Sequence, residues 1–566
     1  MNIARHEVTT PKYGDSVTLR RTLPISAKLL WPTALIMVIA AIVRVIPLTY
    51  DLKVIDQLTL VDDTYLSLEV AKNIGMGKGP LYGDEYTNGY QPLYVLLAAP
   101  IYYGLDPNNP PSTEVLDTKV KQALLLLVAF DLGSLILLGL LLSRHFGWSL
   151  PTHIGMLLWA LHPLVITNSL NGLETPMAAF FLLLAMYYFT TFARNSSHTK
   201  PRLILGFILG FAVLARIDLA ILGFVILVTE TWDLVKGRWS LSQAITGLGL
   251  TFVGFVTIYS PWLLWSYSYT GEWLPVSGEA VRYQALIKRQ AVDGLALKPA
   301  IQIFMLALIT PIISAPTMWL STLAIWTLTG LSLFTKSSRW AQQLVSLLKK
   351  WWVLAAFCGL LLIAYGFYII GQWFFHRYLF ALVLLPIITL STGAFVLTQV
   401  KNNLITRGLL VAATLIICLG NPNFLKLERG EFDPKAQGFR SMGIWVNEML
   451  PEGSRVGSTQ TGGLSYYGTK LKVTNLDGVV NRRALTALKA KSIDSYMQEQ
   501  QLEYMVDWKN RVRMAASRSS CGRKLGRSIQ VTHTSTFESW NYSKWFLYKV
   551  RKDRPFCQPT LSMNKD

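Results

Sequence analysis

The stretch VDDTYLSLEVAKNIGMGKGPLYGDEYTNGYQPLY, from Val61 to Tyr94, decides the fold of this chain because of the segment that precedes it. Residues Trp31 to Tyr50 form a hydrophobic run, with Arg44 as its one charged residue, that is long enough to cross about 30 Å of hydrocarbon as a helix. The adjacent carboxylates Asp62 and Asp63 are therefore held just beyond a membrane surface, in a loop too polar to span. This position favours a membrane enzyme whose substrate is itself partly lipid.

The composition extends this prediction to the whole chain. Hydrophobic residues make up 52% of the 566 residues and charged residues 15%. The apolar residues occur in runs of roughly 17–25, the length of a membrane-crossing helix. Within lipid the backbone must satisfy its own hydrogen bonds, so each run is expected to be helical. We therefore predict a polytopic α-helical membrane protein with about eleven transmembrane helices, centred near Ile39, Leu132, Leu161, Leu183, Leu209, Val225, Val253, Leu320, Leu360, Leu385 and Ala413.

Lys and Arg residues in short loops predict the orientation. The segment before the first span is rich in both and shows no cleavable signal peptide, so the N-terminus is expected in the cytoplasm. With eleven spans, the later basic clusters fall on the same side. The long first loop, the Gly271 to Lys298 loop, the Gln372 to Tyr378 turn and the C-terminal tail fall on the opposite side. This parity requires Pro92 to Tyr103, which is too short to span, to lie along the outer surface.

The net charge of +20 follows partly from the cytoplasmic bias and does not indicate nucleic-acid binding. The tail from Asn421 still holds 24 Lys or Arg against 13 Asp or Glu, an excess suited to anionic lipid head groups or a phosphate-bearing carrier. Ordinary solvation explains this excess equally well. We expect membrane lipids as partners and no nucleic acid.

Two domains are predicted, because hydropathy falls after Gly420 and the break Asn421-Pro422-Asn423 ends the last span. Residues 1–420 form the transmembrane domain, and residues 421–566 form a small extracytoplasmic α/β domain. In the second domain, the pattern predicts two helices, Lys435–Met449 and Asn481–Gln500. It predicts three strands, Arg455–Ser458, Lys470–Leu476 and Lys544–Val550.

The four cysteines divide into two pairs. Cys358 and Cys418 lie in predicted spans and are expected to pack as small hydrophobes. Cys521 and Cys557 lie in the tail, an oxidising setting in which we expect a disulfide, although the sequence does not fix the pairing. Cys521 also falls in a segment rich in Arg, Ser and Gly, Arg511 to Arg527, that we expect to form a mobile loop.

Asp62 and Asp63 are the first candidates for catalysis. Two carboxylates this close share protons or bind a cation, and the pKa of one can rise toward that of a useful base. A single base that takes the proton of an acceptor hydroxyl is sufficient for an inverting glycosyl transfer. The alternative is an exposed acidic turn or an N-cap for a helix over Thr64 to Ile74. No cofactor is certain; a divalent cation, if one is used, would be held by these two carboxylates.

Further candidates lie at the outer ends of later spans. Glu174, in the turn NGLETP, is costly at this depth unless paired, or it simply caps the helix that follows. Arg216 and Asp218 fall where a run too long for one span turns between two helices. Arg216 either pairs with Asp218 or binds a phosphate, which its planar fork matches.

His376, Arg377 and Tyr378 follow at the outer end of another span. They contact a phosphate head group, or they form an ordinary interfacial belt in which Arg377 snorkels. Arg282 lies on a basic amphipathic surface helix after Trp273-Leu274-Pro275. Such a helix steers an anionic carrier or rests on anionic lipid.

In order and on one side of the membrane, these motifs resemble the GT-C membrane glycosyltransferases that use polyprenyl-phosphate sugars, and most of all the bacterial arabinofuranosyltransferase branch. That branch reads D-D-x-x-I-S-x-R-x-A-x-N-x-x-x-G-x-G and then G-Y-x-x-P-L-W; this chain reads DDTYLSLEVAKNIGMGKG from Asp62 and GYQPLY from Gly89. The branch's G-L-E-T-P is present as Gly172 to Pro176, and its A-R-P-D as Ala215 to Asp218. In the tail, WVNEMLPEGSRVG and NLDGVVN look similar more weakly.

The departures are Glu69 for a common Arg, Tyr94 for Trp and Ile217 for Pro, and they affect the identity of the sugar more than the reaction type. The resemblance implies an inverting glycosyltransferase in a bacterial plasma membrane that moves a sugar from a polyprenyl-phosphate donor to a glycan, lipid or protein acceptor outside the cytoplasm. It implies that Asp62 or Asp63 is the general base, that Glu174 orients hydroxyls, and that the leaving phosphate is held by Arg216, His376 and Arg377.

Two other functions fit the same spans. A transporter or flippase of a lipid-linked sugar would share the phosphate-binding cations but needs no base, and no inverted repeat or matched pair of broken helices favours it. A non-catalytic polymer-binding subunit would depend on the tail, and its carboxylates would be dispensable.

Overall fold

The computed structural model describes residues 27–194, 199–289, 297–334, 339–400, 403–420, 438–508, 532–538 and 544–550. The N-terminal part of the described chain is helical apart from a short hairpin, β1 (Leu81–Tyr82) and β2 (Glu85–Tyr86). Its helices are α1 (Ala27–Val45), α2 (Leu52–Leu58), α3 (Asp62–Gly75), α4 (Pro92–Ala98), α5 (Thr113–Phe146), α6 (Leu150–Ala160), α7 (Pro163–Leu170), α8 (Thr175–Tyr188), α9 (Thr199–Ala215), α10 (Ala220–Val235), α11 (Leu241–Thr270), α12 (Val276–Lys288), α13 (Leu297–Ser314), α14 (Pro316–Phe334), α15 (Arg339–Leu348), α16 (Trp352–Ile363), α17 (Phe375–Tyr378), α18 (Leu384–Val400) and α19 (Leu404–Leu419).

The helices confirm a multi-pass membrane protein. In the described part of the chain, seven helical segments are long and apolar enough to cross a membrane, and α6 with α7, bent by 51°, makes an eighth if the pair is one span. The count of eleven stays a prediction. Helices α9, α10 and α19 have 17, 16 and 16 residues, at or below the lower limit for a span. Around Leu320, where the sequence predicts one span, two helices (α13 and α14) follow each other.

The segment after the first hairpin does not span, as predicted. It is helix α4 followed by a 3₁₀ turn, Ala99–Tyr102. Gly75, at the end of α3, lies directly on this turn: a Cβ there would stand 2.4 Å from the Ala99 carbonyl oxygen. The first loop therefore folds back on itself as a packed layer.

The C-terminal domain is α/β, as predicted. Its helices are α20 (Phe439–Met449), α21 (Gly462–Tyr467), α22 (Arg482–Lys489) and α23 (Ile493–Glu499), and its strands are β3 (Arg455–Ser458), β4 (Lys472–Asn475), β5 (Tyr504–Asp507), β6 (Thr532–Glu538) and β7 (Lys544–Lys549). The sheet order is β4-β3-β5-β7-β6, with β4, β3 and β5 parallel and β7 and β6 antiparallel.

Some predictions for this domain need correction or lie outside the described residues. The helix predicted over Asn481–Gln500 is two helices, because Lys491 between them adopts a positive φ of 56° that ends α22. The Arg511–Arg527 loop, the pairing of Cys521 with Cys557 and the boundary near residue 420 lie outside the described residues. Cys358 and Cys418 are free and buried.

The C-terminal domain shares a hydrophobic core with the first loop. Tyr65 of α3 lies 5.8 Å and 5.6 Å, centroid to centroid, from the rings of Tyr466 and Tyr467 in α21. Tyr102 packs edge-on against Tyr466 at 6.3 Å. One cluster of buried side chains runs from the first loop through α5 into the sheet of the domain, where it includes Trp545. The domain is thus a layer continuous with the first loop.

Candidate active site

The first turn of α3 carries the predicted carboxylate pair. The N-cap is Val61, so Asp62 and Asp63 are first-turn residues and the alternative of an Asp N-cap does not hold. Thr64 Oγ1 takes the capping role: it accepts the N–H of Val61 at 3.3 Å and donates to the Asn171 carbonyl at 2.5 Å. Acidic residues in a first helical turn face the positive end of the helix dipole, which favours this start.

Asp62 is buried against the C-terminal domain. It is 7% exposed, and its Oδ1 accepts the N–H of Gly463 at 3.3 Å. Burial raises its pKa well above the usual 3.8; the N–H of Gly462 opposes the rise, and the charges of Asp63 and Asp477 add to it. This environment favours a protonated Asp62.

Asp63 is the open member of the pair. Its side chain is 28% exposed, and its Oδ2 lies 3.2 Å from Nη2 of Arg377 in the short helix α17. The Arg377 guanidinium stacks over the rings of Phe374 and Tyr378, 4.6 Å and 5.1 Å from their centroids. Its Nε is buried and has no hydrogen-bond partner among the described residues. The two neighbouring carboxylates thus have different environments: that of Asp62 is buried and that of Asp63 is partly exposed.

The turn NGLETP brings Glu174 to the same place. Gly172 has a φ of +73°, and a Cβ there would stand 2.1 Å from Cγ2 of Thr64, so this turn lies directly on the first turn of α3. Glu174 is 5% exposed, with Oε1 3.9 Å from Nε of Arg216.

Arg216 lies between α9 and α10, the turn predicted from the sequence. It pairs with Asp218 and donates to the carbonyl of Arg377 at 3.2 Å. Tyr365 donates to Oδ2 of Asp218 at 2.7 Å and stacks on Tyr378 at 4.6 Å. The other oxygen, Asp218 Oδ1, is buried without a partner in the described part of the chain. The predicted Arg216–Asp218 pair forms, and it also supports the backbone that carries Arg377.

Two predicted residues lie apart from the carboxylate cluster, which consists of Asp62, Asp63, Glu174, Arg216, Asp218 and Arg377. His376 is exposed, whereas Arg377 beside it is buried, because successive helix residues point about 100° apart. Arg282 is exposed on α12, donates to the Tyr368 carbonyl at 3.1 Å and lies over the Tyr368 ring at 4.9 Å. Its helix is clamped to the C-terminal domain from the other side by Gln284, which donates to the Asp477 carbonyl at 2.9 Å.

Sequence reasoning missed the contribution of the C-terminal domain. Gly462 and Gly463 touch Asp62, and Asp477 lies within electrostatic range of it. Two motifs singled out in the sequence also meet here: a Cβ on Gly89 of GYQPLY would stand 2.2 Å from the carbonyl oxygen of Val479 in NLDGVVN. The presence of both motifs in one chain was the signal in the sequence that could have indicated contact between the first loop and the C-terminal domain.

A cation at the pair does not fit this geometry. Among the described residues no group of three or more His, Cys, Asp or Glu side chains is placed to hold a metal ion. Asp62 turns to Gly463 and Asp63 to Arg377, so the two carboxylates do not converge.

Two cavities in the described part of the chain lie away from the carboxylate pair. One, of about 630 Å³, is lined by the start of α1, the end of α5 and the start of α6. Another, of about 820 Å³, lies at the end of α10. Neither is lined by Asp62, Asp63, Glu174, Arg216, Asp218 or Arg377.

Comparison with known proteins identifies the fold. No curated protein matches this sequence. The sequence family described as "Domain of unknown function (DUF8728)" matches residues 428–555, the region of the C-terminal domain.

Solved structures share the fold over most of this chain. ArnT from Cupriavidus metallidurans bound to undecaprenyl phosphate is similar with a TM-score of 0.54 at 12% identity, over 94% of this chain and 99% of that chain. Its apo structure gives 0.51 at 13%, over 92% and 97%. AglB, an oligosaccharyltransferase from Archaeoglobus fulgidus in complex with an inhibitory peptide and a dolichol-phosphate, gives 0.50 at 12%, over 95% and 75%. These structures confirm the predicted fold of membrane helices with a small C-terminal α/β domain, and the glycosyltransferase superfamily and its arabinofuranosyltransferase branch stay predictions.

Proposed function

We propose that this protein is an inverting glycosyltransferase that moves a sugar from a polyprenyl-phosphate donor to a glycan, lipid or protein acceptor on the extracytoplasmic side of a bacterial plasma membrane. The observation that carries the proposal is the pairing of Asp63 with Arg377. A partly exposed carboxylate and a half-satisfied guanidinium face each other at 3.2 Å. Arg377 lies between two helical segments, Arg339–Ile369 and Phe380–Val400, that are long and apolar enough to cross a membrane. A base and a phosphate-binding cation are the two groups that this reaction needs.

The pair is the resting arrangement of the site. When a donor binds, its phosphate competes for the Arg377 guanidinium, whose planar fork matches phosphate oxygens. Asp63 is then free to accept a hydrogen bond from the acceptor hydroxyl. Donor binding thus activates the base that the empty site keeps paired.

The chemical step follows from these positions. The acceptor oxygen attacks the anomeric carbon and its proton moves to Asp63, while the bond from that carbon to the phosphate oxygen breaks and its electron pair stays on the phosphate. Attack opposite the leaving group inverts the anomeric centre. Arg377 stabilises the charge that develops on the phosphate, an effect that is strong in a partly dry site.

The surrounding residues position this pair. Arg216 fixes the backbone of Arg377 through its carbonyl, and Glu174 and Asp218 balance the charge of Arg216. We propose that Glu174 orients sugar or acceptor hydroxyls. His376 and Arg282 lie at the exposed margin, where they are placed to meet an incoming anion before Arg377 does.

The donor class is supported by the proteins of similar fold. ArnT is described bound to undecaprenyl phosphate, and AglB with a dolichol-phosphate and an inhibitory peptide. Both ligands are polyprenyl phosphates, the leaving group that the proposed reaction releases. The membrane helices of this chain suit the same kind of carrier. By the sequence resemblance, the product belongs to the cell wall or envelope glycans.

The experiment is a transfer assay with purified protein, a panel of polyprenyl-phosphate sugars and a panel of envelope glycan acceptors. Asp63→Asn keeps the shape of the side chain and removes the base, so we expect transfer to fall by about 10²–10⁴-fold. Native mass spectrometry should show that the variant still retains the donor.

The matched control is Asp84→Asn, an exposed Asp in the β1–β2 turn of the same loop, which should transfer at the wild-type rate. Wild-type turnover by Asp63→Asn would contradict the role of Asp63 as the base. Retention of a lipid-linked sugar by a wild-type protein that transfers it to no acceptor would favour a flippase, which needs no base. Failure of the wild-type protein to retain any lipid-linked sugar would contradict the donor class.

A further inference from the structure

We propose that the C-terminal domain is part of the active site, and that the turn Gly462-Gly463 holds Asp62 so that its neighbour Asp63 faces Arg377. The proposal rests on the proposed function and deepens it. It gives the matched domain of unknown function a role: it fixes the first turn of the catalytic helix. Asp62 is then a positioning residue, and Asp63 is the catalytic one.

The first support is the closeness of two backbones. A Cβ on Gly462 would stand 2.0 Å from the Asp62 carbonyl oxygen and 2.9 Å from its Oδ1. The N–H of Gly463 meets the same Oδ1 at 3.3 Å. Glycine is required at 462 because α21 lies directly against the main chain of α3. No side chain could keep this contact.

The second support is the way α21 is held in place from behind. A Cβ on Gly463 would stand 2.3 Å from the Phe439 carbonyl oxygen, and one on Gly443 would stand 2.2 Å from the Gly463 carbonyl oxygen. Both contacts lie in α20, so α20 and α21 touch backbone to backbone. The turn that touches Asp62 therefore has no room to retreat.

The third support is a set of hydrogen bonds that tie α21 to the first loop. Ser465 donates to the Tyr82 hydroxyl at 2.8 Å, and Lys72 of α3 donates to the Tyr466 carbonyl at 3.5 Å. The hydroxyls of Tyr102 and Tyr466 lie 2.9 Å apart, and Tyr467 donates to Asp117 of α5 at 2.8 Å. These bonds reach α3, the hairpin, the turn after α4, and α5.

The fourth support is the anchor at the start of α20. The N–H of Arg440 meets the carboxylate of buried Asp56 at 3.2 Å. Its guanidinium forms two bonds to Asp117, at 2.9 Å and 2.5 Å. A two-bonded guanidinium–carboxylate pair fixes orientation as well as distance. The domain is thus oriented on the first loop on both sides of Asp62.

The consequence for catalysis follows from the chain itself. Asp62 and Asp63 are consecutive, so a shift of the first turn by the width of a methyl group moves the base relative to Arg377. A displacement of about 1 Å at a catalytic group can cost about 10²-fold in rate. The role of Asp62 requires an acceptor of its shape at Gly463, which an Asn also supplies.

The main test is Gly462→Ala with a matched control, Gly457→Ala. The first substitution pushes a methyl group into the backbone of Asp62. The second places one in the core of the same domain, against Leu476 and Leu502, whose flexible ends can yield. We expect Gly462→Ala to lower kcat by about 10²-fold with donor KM within about threefold of wild type. Gly457→Ala should leave both values within about threefold.

A second series separates positioning from catalysis. Asp62→Leu should lower kcat strongly, and Asp62→Asn should recover it to within about tenfold of wild type, because Asn Oδ1 still accepts the Gly463 N–H. Asp63→Asn should recover nothing. Equal inactivity of Asp62→Asn and Asp63→Asn would overturn the assignment, as would wild-type kcat in Gly462→Ala.

Amide hydrogen exchange tests the contact without any enzymatic activity. In Gly462→Ala, peptides covering the first turn of α3 should exchange at least about tenfold faster than in wild type, and in Gly457→Ala they should not. Unchanged exchange in Gly462→Ala would overturn the proposal even if no donor were found. If the two variants showed this exchange response and the wild-type protein transferred sugar from no donor, only the proposed function would be contradicted.

Discussion

Two buried Arg–Asp pairs in this molecule look alike by composition and differ in their surroundings. Arg216 pairs with Asp218 near Asp63, and Arg44 pairs with Asp131 between α1 and α5. All four side chains are almost fully buried. A buried ion pair alone is weak support for either stability or function, so the neighbours must decide between the two roles.

The neighbours of the Arg44 pair are structural. Its Nη1 donates to the carbonyls of Ala40 and Ala160, at 3.1 Å and 2.9 Å, and the Trp159 indole donates to Asp131 at 3.1 Å. Ala160 ends α6 where α7 bends away, so the pair ties α1 and α5 to this bend. Its contacts are backbone carbonyls and one indole, and none belongs to the carboxylate cluster.

The neighbours of the Arg216 pair are themselves candidate site residues. Its guanidinium contacts the carbonyl of Arg377, lies near Glu174 and reaches the Tyr365 hydroxyl at 3.3 Å. Oδ1 of Asp218 and Nη2 of Arg44 are both buried without a hydrogen-bond partner in the part of the chain that the structure describes, so this feature does not separate the two pairs. We therefore expect the Arg216 pair to belong to a functional site, because its neighbours include Arg377, which faces the partly exposed Asp63, whereas the Arg44 pair contacts backbone carbonyls and an indole.

Replacing each pair by apolar residues should separate the two roles with the largest effect. Breaking a buried pair by one substitution costs about 3–5 kcal/mol, whereas replacing both members with apolar residues of similar volume is often neutral. We expect Arg44→Met with Asp131→Leu to keep transfer within about threefold of wild type. Arg216→Met with Asp218→Leu should fold equally well and lose at least about 10²-fold in kcat/KM.

The measurements are thermal unfolding in detergent and the transfer assay, with the four single variants as references. The comparison would be broken if both double variants kept activity, since the pair near Asp63 would then be structural as well. Loss of activity in the Arg44 double variant, with its stability intact, would also contradict the comparison, because the Arg44–Asp131 pair would then have a functional role.

Another buried carboxylate, that of Asp56, sharpens the comparison because it has no ion-pair partner within 4 Å in the described part of the chain. Burial raises its pKa from 3.8 to about 7, although the Tyr65 hydroxyl and the N–H of Arg440 oppose the rise. Between these values the folded protein keeps a proton that the unfolded chain releases. Stability is therefore highest below about pH 4, falls as the pH rises toward 7, and is level above it.

The size of this change is at most about 4 kcal/mol, since one pKa unit corresponds to about 1.4 kcal/mol. Thermal unfolding between pH 4.5 and 8 measures it. Asp56→Asn keeps an acceptor for Tyr65 and removes the titration, so its midpoint should depend on pH less steeply than that of wild type. An identical pH profile in the two proteins would show that Asp56 is ionised in the folded state.

The sequence predicted the fold well where a local pattern carries it. Apolar runs of spanning length predict membrane helices, and a polar turn at the end of a run locates Asp63, Glu174 and Arg216. The two helices meeting at Arg216 followed from the length of their run. Lys491 ends a helix through its backbone conformation, and no periodicity in the side chains announces that break.

The contact of Gly462 and Gly463 with Asp62 could not be predicted in the same way. Gly462 and Gly463 are 400 residues from Asp62, and two glycines in sequence usually indicate a turn. Their importance comes from the approach of two backbones, which only the folded chain brings about. For the same reason, the sequence could not tell Asp62 from Asp63, whose difference in exposure is produced by the C-terminal domain.

Arg377→Lys tests the proposed binding of the donor phosphate, and we expect it to reduce kcat/KM less than loss of the Arg216–Asp218 pair does. Lysine keeps the charge but loses the planar fork, so it cannot pair with Asp63 and a phosphate in the same geometry. We expect kcat/KM to fall by about 10–100-fold with the fold intact. Arg483→Lys, a control at an exposed ion pair between the C-terminal domain and Glu85 of the hairpin, should change nothing measurable. An unchanged kcat/KM in Arg377→Lys would mean that the phosphate binds elsewhere.

The smallest effect is expected for Arg282, the cation that the sequence placed at the site and the structure places at its margin. Arg282 is exposed and engaged with the Tyr368 carbonyl and ring, contacts that are worth about 0.5–1 kcal/mol at an exposed site. Arg282→Ala should therefore lower kcat/KM by less than about threefold, mainly at low ionic strength, where an exposed charge still attracts an anionic donor. A fall of more than about tenfold that persists at high salt would show direct contact with the substrate. Arg282 would then belong with Arg377, and burial would fail as the criterion that separates the cations of this site.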